Sequence, residues 1–85
     1  MPLEIIVKGI SEGENFTTDL MFTLIPPKEK TFYGNGHYMK VDIKGNTFAW
    51  VDVRYSGKPD IKKLANQWIE NYFGENAKEI LIKEV

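Results

Sequence analysis

The alternation of apolar and polar residues divides the chain into four extended segments, a helix and a last extended segment. Residues 3–10 and 16–25 are rich in β-branched and aromatic residues and are bounded by turn-forming residues, which predicts two strands. Residues 26–36 begin with two prolines, which cannot donate to a sheet, and we interpret them as a loop. Residues 37–57 then predict a hairpin of two strands.

The predicted helix shows the most regular spacing in the chain. Its apolar residues recur at intervals of three and four, and they are Ile61, Leu64, Ala65, Trp68, Ile69, Tyr72 and Phe73. Pro59 suits the first helical position, Asp60 favours the positive end of the helix dipole, and Gly74 supplies the stop. We expect the aromatic members of this apolar face to belong to the core, and residues 77–85 to form the final strand.

The order β-β-β-β-α-β predicts an α+β domain, a mostly antiparallel sheet of about five strands with one amphipathic helix on one face. The 85 residues suit a single domain, residues 1–85, with one core. Five strands span roughly 24 Å, whereas a helix with its side chains is about 10 Å across. Because one helix cannot cover such a sheet, strong curvature, the long loop or a second copy must shelter the rest, and a two-fold homodimer is the simplest form of self-association.

The register of the predicted hairpin decides which of its residues face the helix. A two-residue loop at 45–46 mixes charged and apolar residues on both faces. A three-residue loop at 44–46, with Asn46 left-handed, gives one almost wholly apolar face. That register pairs Ile43 with Thr47, Val41 with Ala49 and Met39 with Val51. Since a one-residue slip turns every side chain over, we predict the three-residue loop.

This register places aromatic residues among charges on the face away from the helix. The residues of that face are Tyr38, Lys40, Asp42, Phe48, Trp50, Asp52 and Arg54. Because clustered surface aromatics usually meet a partner, we predict a binding surface made of Tyr38, Lys40, Phe48, Trp50 and Arg54. Three explanations stay open: the 26–36 loop covers the aromatics, a subunit interface buries them, or they bind a ligand or nucleic acid.

Charge and composition narrow the function classes. The net charge of −1 argues against a general nucleic-acid binder, although residues 28–63 carry eight basic residues against four acidic ones. Aromatics beside Lys40 and Arg54 nevertheless resemble the stacking surfaces of single-strand binders, with Asp42 and Asp52 opposing that role. The chain has no cysteine, and its single histidine and scattered carboxylates show no metal-ligand spacing, so we expect no cofactor and no metal.

The sequence does not favour an enzyme. His37 is the only histidine, and Ser11 and Ser56 lie in turn-like contexts without a nucleophile motif. We therefore expect no catalytic activity, and no small-molecule substrate can be identified.

The composition also bears on where the protein acts. The N-terminal residues lack the pattern of a secretion signal and no apolar run approaches a membrane span, so we expect a cytoplasmic protein without membrane contact. The Lys-, Ile- and Asn-rich composition is compatible with a bacterial or phage source. We expect a protein-interaction domain, homodimeric in one form of the hypothesis, that uses the outer face of the 38–55 hairpin. The alternative is single-stranded nucleic-acid binding through the same face.

Overall fold

The computed structural model describes residues 2–25, 38–53 and 58–84. The strands are β1 (Pro2–Ser11), β2 (Glu14–Ile25), β3 (Tyr38–Ile43), β4 (Asn46–Asp52) and β5 (Ala77–Glu84). Helix α1 (Ile61–Phe73) is followed by one turn of 3₁₀ helix, Gly74–Asn76, which leads into β5. The predicted loop at 26–36 and His37 lie outside the described residues.

The described strands form one five-stranded sheet in the order β4-β3-β2-β1-β5, and all neighbouring strands run antiparallel. The predicted α+β class and the element order β-β-β-β-α-β are confirmed. Ile5 of β1 lies opposite Leu20 of β2 on one side and Ile82 of β5 on the other. β4 and β5 are therefore the two edge strands, and α1 crosses the sheet to connect them.

The turn of the β3–β4 hairpin differs from the prediction. Lys44 and Gly45 alone form it, with φ of 52° and 84°, and Ile43 pairs directly with Asn46. Two successive left-handed residues are the geometry of a type I′ turn, whose twist matches that of the flanking strands. The predicted three-residue loop, with Thr47 opposite Ile43, is therefore wrong.

A bulge beyond this turn restores the predicted pairing in the rest of the hairpin. Asp42 lies opposite Thr47, but its neighbour Val41 lies opposite Ala49, so β4 contributes one extra residue, Phe48. From Val41 and Ala49 onward the predicted register is confirmed. Bulges of this kind re-aim a side chain, and here the re-aimed side chain is that of Phe48.

Side-chain and backbone caps define both ends of α1. The carboxylate of Asp60 accepts a hydrogen bond from the backbone N–H of Lys63 at 3.3 Å, so Asp60 is the N-cap. Pro59 consequently precedes the cap, and its predicted place at the first helical position is wrong, because Asp60 satisfies an end N–H group before the helix begins. Gly74 ends the helix as predicted, with φ of 58° and its N–H donating to the carbonyl of Glu70.

The core lies between α1 and one face of the sheet, called the helix face below. Its buried side chains are Leu3, Ile5, Val7, Leu20, Phe22, Met39, Val41, Val53, Ala65 and Ile69. Trp68 packs edge-on against Phe22, with ring centroids 5.8 Å apart. The prediction that Tyr72 belongs to the core is wrong: it is 55% exposed and stacks on Trp68, with ring centroids 4.9 Å apart.

The opposite side of the sheet, called the outer face below, carries the alternate residues of each strand, such as Glu4, Ile6 and Lys8 of β1. Within residues 2–25, 38–53 and 58–84, no helix or strand packs over this face. In the same part of the chain, no helix combines the length and the apolar character that crossing a bilayer requires.

Candidate functional site

Trp50 lies on the outer face, directly opposite Lys40 of β3. Residues opposite each other in an antiparallel pair direct their side chains to the same face. Met39 and Val41 flank Lys40 and are fully buried on the helix face, so Lys40 and Trp50 point the other way. The indole is 39% exposed. This is the placement predicted from the sequence.

Tyr38 extends the same surface toward the end of the sheet. It lies two residues from Lys40 along β3, which separates their Cα atoms by about 7 Å, and it pairs with Asp52 of β4. Its side chain is partly buried. The structure thus brings Tyr38, Lys40 and Trp50 together, whereas the predicted fifth member, Arg54, lies outside the described residues.

Phe48 does not belong to this surface, and its predicted place beside Trp50 is wrong. Its ring meets Trp68 and Tyr72 edge to face, with centroids 6.2 and 5.4 Å apart, so it lies on the helix face. The bulge in β4 is the cause, because one extra residue reverses the side to which Phe48 points. The ring remains 47% exposed at the margin of the helix.

The positive charge next to Trp50 is balanced within β3. Lys40 Nζ lies 3.7 Å from Asp42 Oδ2, an ion pair at the partly exposed outer face. The other carboxylate oxygen, Asp42 Oδ1, is buried and has no hydrogen-bond partner among the described residues. A buried acceptor without a partner costs about 1–3 kcal/mol.

A shallow depression of about 290 Å³ adjoins Asp42 on the outer face. The residues that line it are Glu4, Asp19, Met21, Asp42, Lys44 and Gly45. The register explains the grouping, because Met21 of β2 lies between Glu4 of β1 and Asp42 of β3. The backbone N–H of Lys44 also donates to the carbonyl of Asp19 at 3.3 Å, which ties the hairpin turn to β2. Three carboxylates therefore border one depression.

Two of these carboxylates interact directly. A side-chain hydrogen bond with Asp19, together with burial and the negative charge of Asp19, raises the pKa of Glu4 above its ordinary value of 4.5, while Lys83 opposes the shift. Two carboxylates this close resist holding two negative charges. A cationic group placed in the depression would relieve that repulsion, so the depression favours a positively charged ligand group.

Sequence reasoning missed Glu4 and Asp19, since they belong to strands far along the chain from the hairpin. The only available signal was that each lies at an outward position of an alternating strand, and without the register nothing joined them to Asp42. Among the described residues, no group of three or more Asp, Glu or His side chains could hold a metal ion.

Comparison with protein-family models, with curated proteins and with solved structures gives no match to this chain.

Proposed function

We propose that this protein is a non-catalytic interaction domain that acts in the cytoplasm and binds a protein partner through the outer face of the 38–55 hairpin. The binding residues in this proposal are Tyr38, Lys40 and Trp50, together with the acidic depression beside them. Arg54 keeps its place in the proposal by sequence position, and Phe48 leaves it. A chain without cysteine is compatible with a reducing compartment.

The observation that carries the proposal is the exposure of Trp50 on a sheet face that no described helix or strand covers. The indole is 39% exposed and borders an ion pair on one side. Tryptophan is strongly enriched among the few residues that contribute most of the binding energy of a protein interface. An anchor of this kind, with polar groups around it, is the usual anatomy of a contact between proteins.

The chemistry of the depression specifies the partner further. Glu4, Asp19 and Asp42 place three carboxylates around it. A lysine or arginine of the partner would pair with these carboxylates and relieve the repulsion between Glu4 and Asp19. The partner we propose is accordingly a protein segment with an apolar side chain for Trp50 and a basic side chain for the depression.

Single-stranded nucleic acid, the alternative occupant, is less well supported by the same surface. Stacking on Trp50 and Tyr38 would suit bases. However, Asp42 already neutralises Lys40, and the neighbouring depression is acidic, so phosphate groups would meet negative charge next to the aromatics.

Selection of peptides from a random library displayed on phage, with the full chain as bait, tests this proposal. We expect enrichment of peptides that combine a basic residue with an aromatic or aliphatic one. Calorimetric titration of the best peptide should show at least about tenfold weaker binding to Trp50→Ala. The matched control is Tyr72→Ala, which removes an exposed aromatic from the helix face and should leave the affinity unchanged.

Two results would overturn the proposal. One is equal affinity of the selected peptides for the wild type and for Trp50→Ala. The other is a selection that enriches nothing while a labelled oligothymidylate binds with an affinity that falls steeply with salt, which would assign the surface to nucleic acid.

A further inference from the structure

The last strand of the chain forms an edge of the sheet. β5 pairs with β1 on one side, and in the described part of the chain no strand pairs with its other side. Alternate backbone N–H and C=O groups of such an edge point outward without a partner in the sheet. Edges of this kind are templates for another strand.

The middle of β5 is apolar on both of its sides. Ile80, Leu81 and Ile82 are 40%, 39% and 41% exposed. Ile80 and Ile82 lie opposite Val7 and Ile5 on the helix face, at the edge of the sheet. Leu81 lies on the outer face.

The two edges of the sheet differ in how they are protected against pairing. Natural proteins protect exposed edges with prolines, bulges or inward-pointing charges. β4 carries its bulge at Phe48, close to the hairpin turn. β5 also has a register shift, but it lies at the start of the strand, where Lys78 is the extra residue opposite Lys8 and Gly9 of β1. From Glu79 to Glu84 the pairing of β5 is regular, and its sequence has no proline. β5 is therefore the edge suited to another strand.

The sequence of β5 is complementary to itself. Residues 77–85, AKEILIKEV, read symmetrically about Leu81, with lysine and glutamate exchanged at corresponding positions. An antiparallel second copy on a two-fold axis at Leu81 would set Ile80 opposite Ile82 of that copy, and Glu79 opposite its Lys83. Opposite charges directly across a strand pair are stabilising, as are paired branched side chains.

Other registers lose this match. An axis centred on Ile80 would set Leu81 against Glu79, and an axis centred on Ile82 would set Leu81 against Lys83. Of these three axes, only the one at Leu81 pairs apolar residues with each other and lysine with glutamate. The sequence pattern therefore specifies the register as well as the partner, a second copy of the same strand.

We infer that two copies of this chain pair their β5 strands antiparallel about Leu81 and form a homodimer with one continuous ten-stranded sheet. Both helices lie on the same side of that sheet, because Ile80 and Ile82 occupy the helix face in each copy. The two-fold axis makes the contact self-complementary and closed. The outer faces of both hairpins lie far from the axis, so this dimer is independent of the proposed partner surface.

Charge reversal with mixing tests the register. Wild type should show about twice the 9.8 kDa chain mass by light scattering after size exclusion. Glu79→Lys and Lys83→Glu alone should each weaken self-association roughly tenfold or more, because each substitution puts two like-charge pairs into the interface. Their equimolar mixture should recover dimers, since the lysines of one variant then meet the glutamates of the other.

The matched control is Glu75→Lys, which makes the same charge change just outside β5 and should leave the dimer intact. The double variant Glu79→Lys/Lys83→Glu should also dimerise like the wild type, which separates loss of pairing from loss of folding. A wild type that stays monomeric at the highest concentration reached overturns the inference. So do single variants that dimerise normally, or a mixture that stays monomeric while both variants are folded by circular dichroism.

Discussion

The two faces of the sheet use the same strands in opposite ways. Leu20 and Phe22 of β2 are fully buried on the helix face. Asp19 and Met21, from the same strand, lie on the outer face, where Asp19 is exposed and Met21 is partly buried. Burial of apolar surface is the main favourable term in folding, so the helix face holds the fold together. The outer face is left to carry charged and aromatic groups that folding does not require.

The largest expected effect that tests this division comes from neighbouring residues of β2. Phe22→Ala should lower the free energy of unfolding by about 3–5 kcal/mol, because it leaves a cavity under Trp68. Met21→Ala, one residue away on the outer face, should cost about 1 kcal/mol. Urea denaturation followed by circular dichroism measures both. Equal losses for the two variants would show that the outer face contributes as much to stability as the helix face does.

A second, smaller effect separates the two exposed aromatics of β4. Phe48→Ala should cost about 1–2 kcal/mol, since it removes edge-to-face contacts with Trp68 and Tyr72. It should also shift the NMR resonance of the Trp68 indole N–H. Trp50→Ala removes a similarly exposed ring but should leave that resonance in place, because Trp50 lies on the other face. If Trp50→Ala shifted this resonance and Phe48→Ala did not, the bulge would not direct Phe48 to the helix face, and its assignment would be wrong.

Most of the fold follows from local patterns in the sequence. Alternation and helical spacing predicted six elements whose limits fall within a few residues of those observed, for example residues 3–10 for Pro2–Ser11. The sheet face on which Val41 and Ala49 lie is predictable too, since only one face of the hairpin can be apolar. These features depend on residues close together in the chain, so one sequence suffices to infer them.

The turn and the bulge were not predictable for a physical reason. A three-residue loop, and a two-residue loop followed by a bulge, both set Val41 opposite Ala49. The two registers differ only between the turn and the Val41–Ala49 pair, where they direct Phe48 to opposite faces of the sheet. The alternation of apolar and polar residues does not distinguish the two registers. The favourable twist of the Lys44-Gly45 turn decides the outcome.

The surfaces that depend on distant strands were also beyond sequence reasoning. Glu4 and Asp19 join Asp42 only through the register of β1, β2 and β3. The exposed edge at Leu81 exists only because β5 pairs with β1 at the end of the sheet. Pairing between remote segments is a tertiary property, and the sequence pattern of each strand permits several strand orders.

The smallest expected effect lies in the depression itself, and it gives the outer face a pH dependence that the buried core, which contains no charged side chain among the described residues, does not have. Because its pKa is raised in the folded state, Glu4 holds its proton more tightly there than in the unfolded chain. Its contribution to stability is therefore complete below the ordinary pKa of 4.5 and is lost as the pH rises through the raised pKa.

Glu4→Gln stays neutral and can still donate to Asp19, so it should be more stable than the wild type at neutral pH, with the difference vanishing in acid. Asp19→Asn removes the negative charge of Asp19 and its hydrogen bond as a carboxylate, which raise the pKa of Glu4 together with burial, so it should lessen the same decline. Urea denaturation midpoints of both proteins, measured from acid to neutral pH, test this prediction. A stability difference between wild type and Glu4→Gln that grows toward acid would have the opposite pH dependence and would refute the shared hydrogen bond.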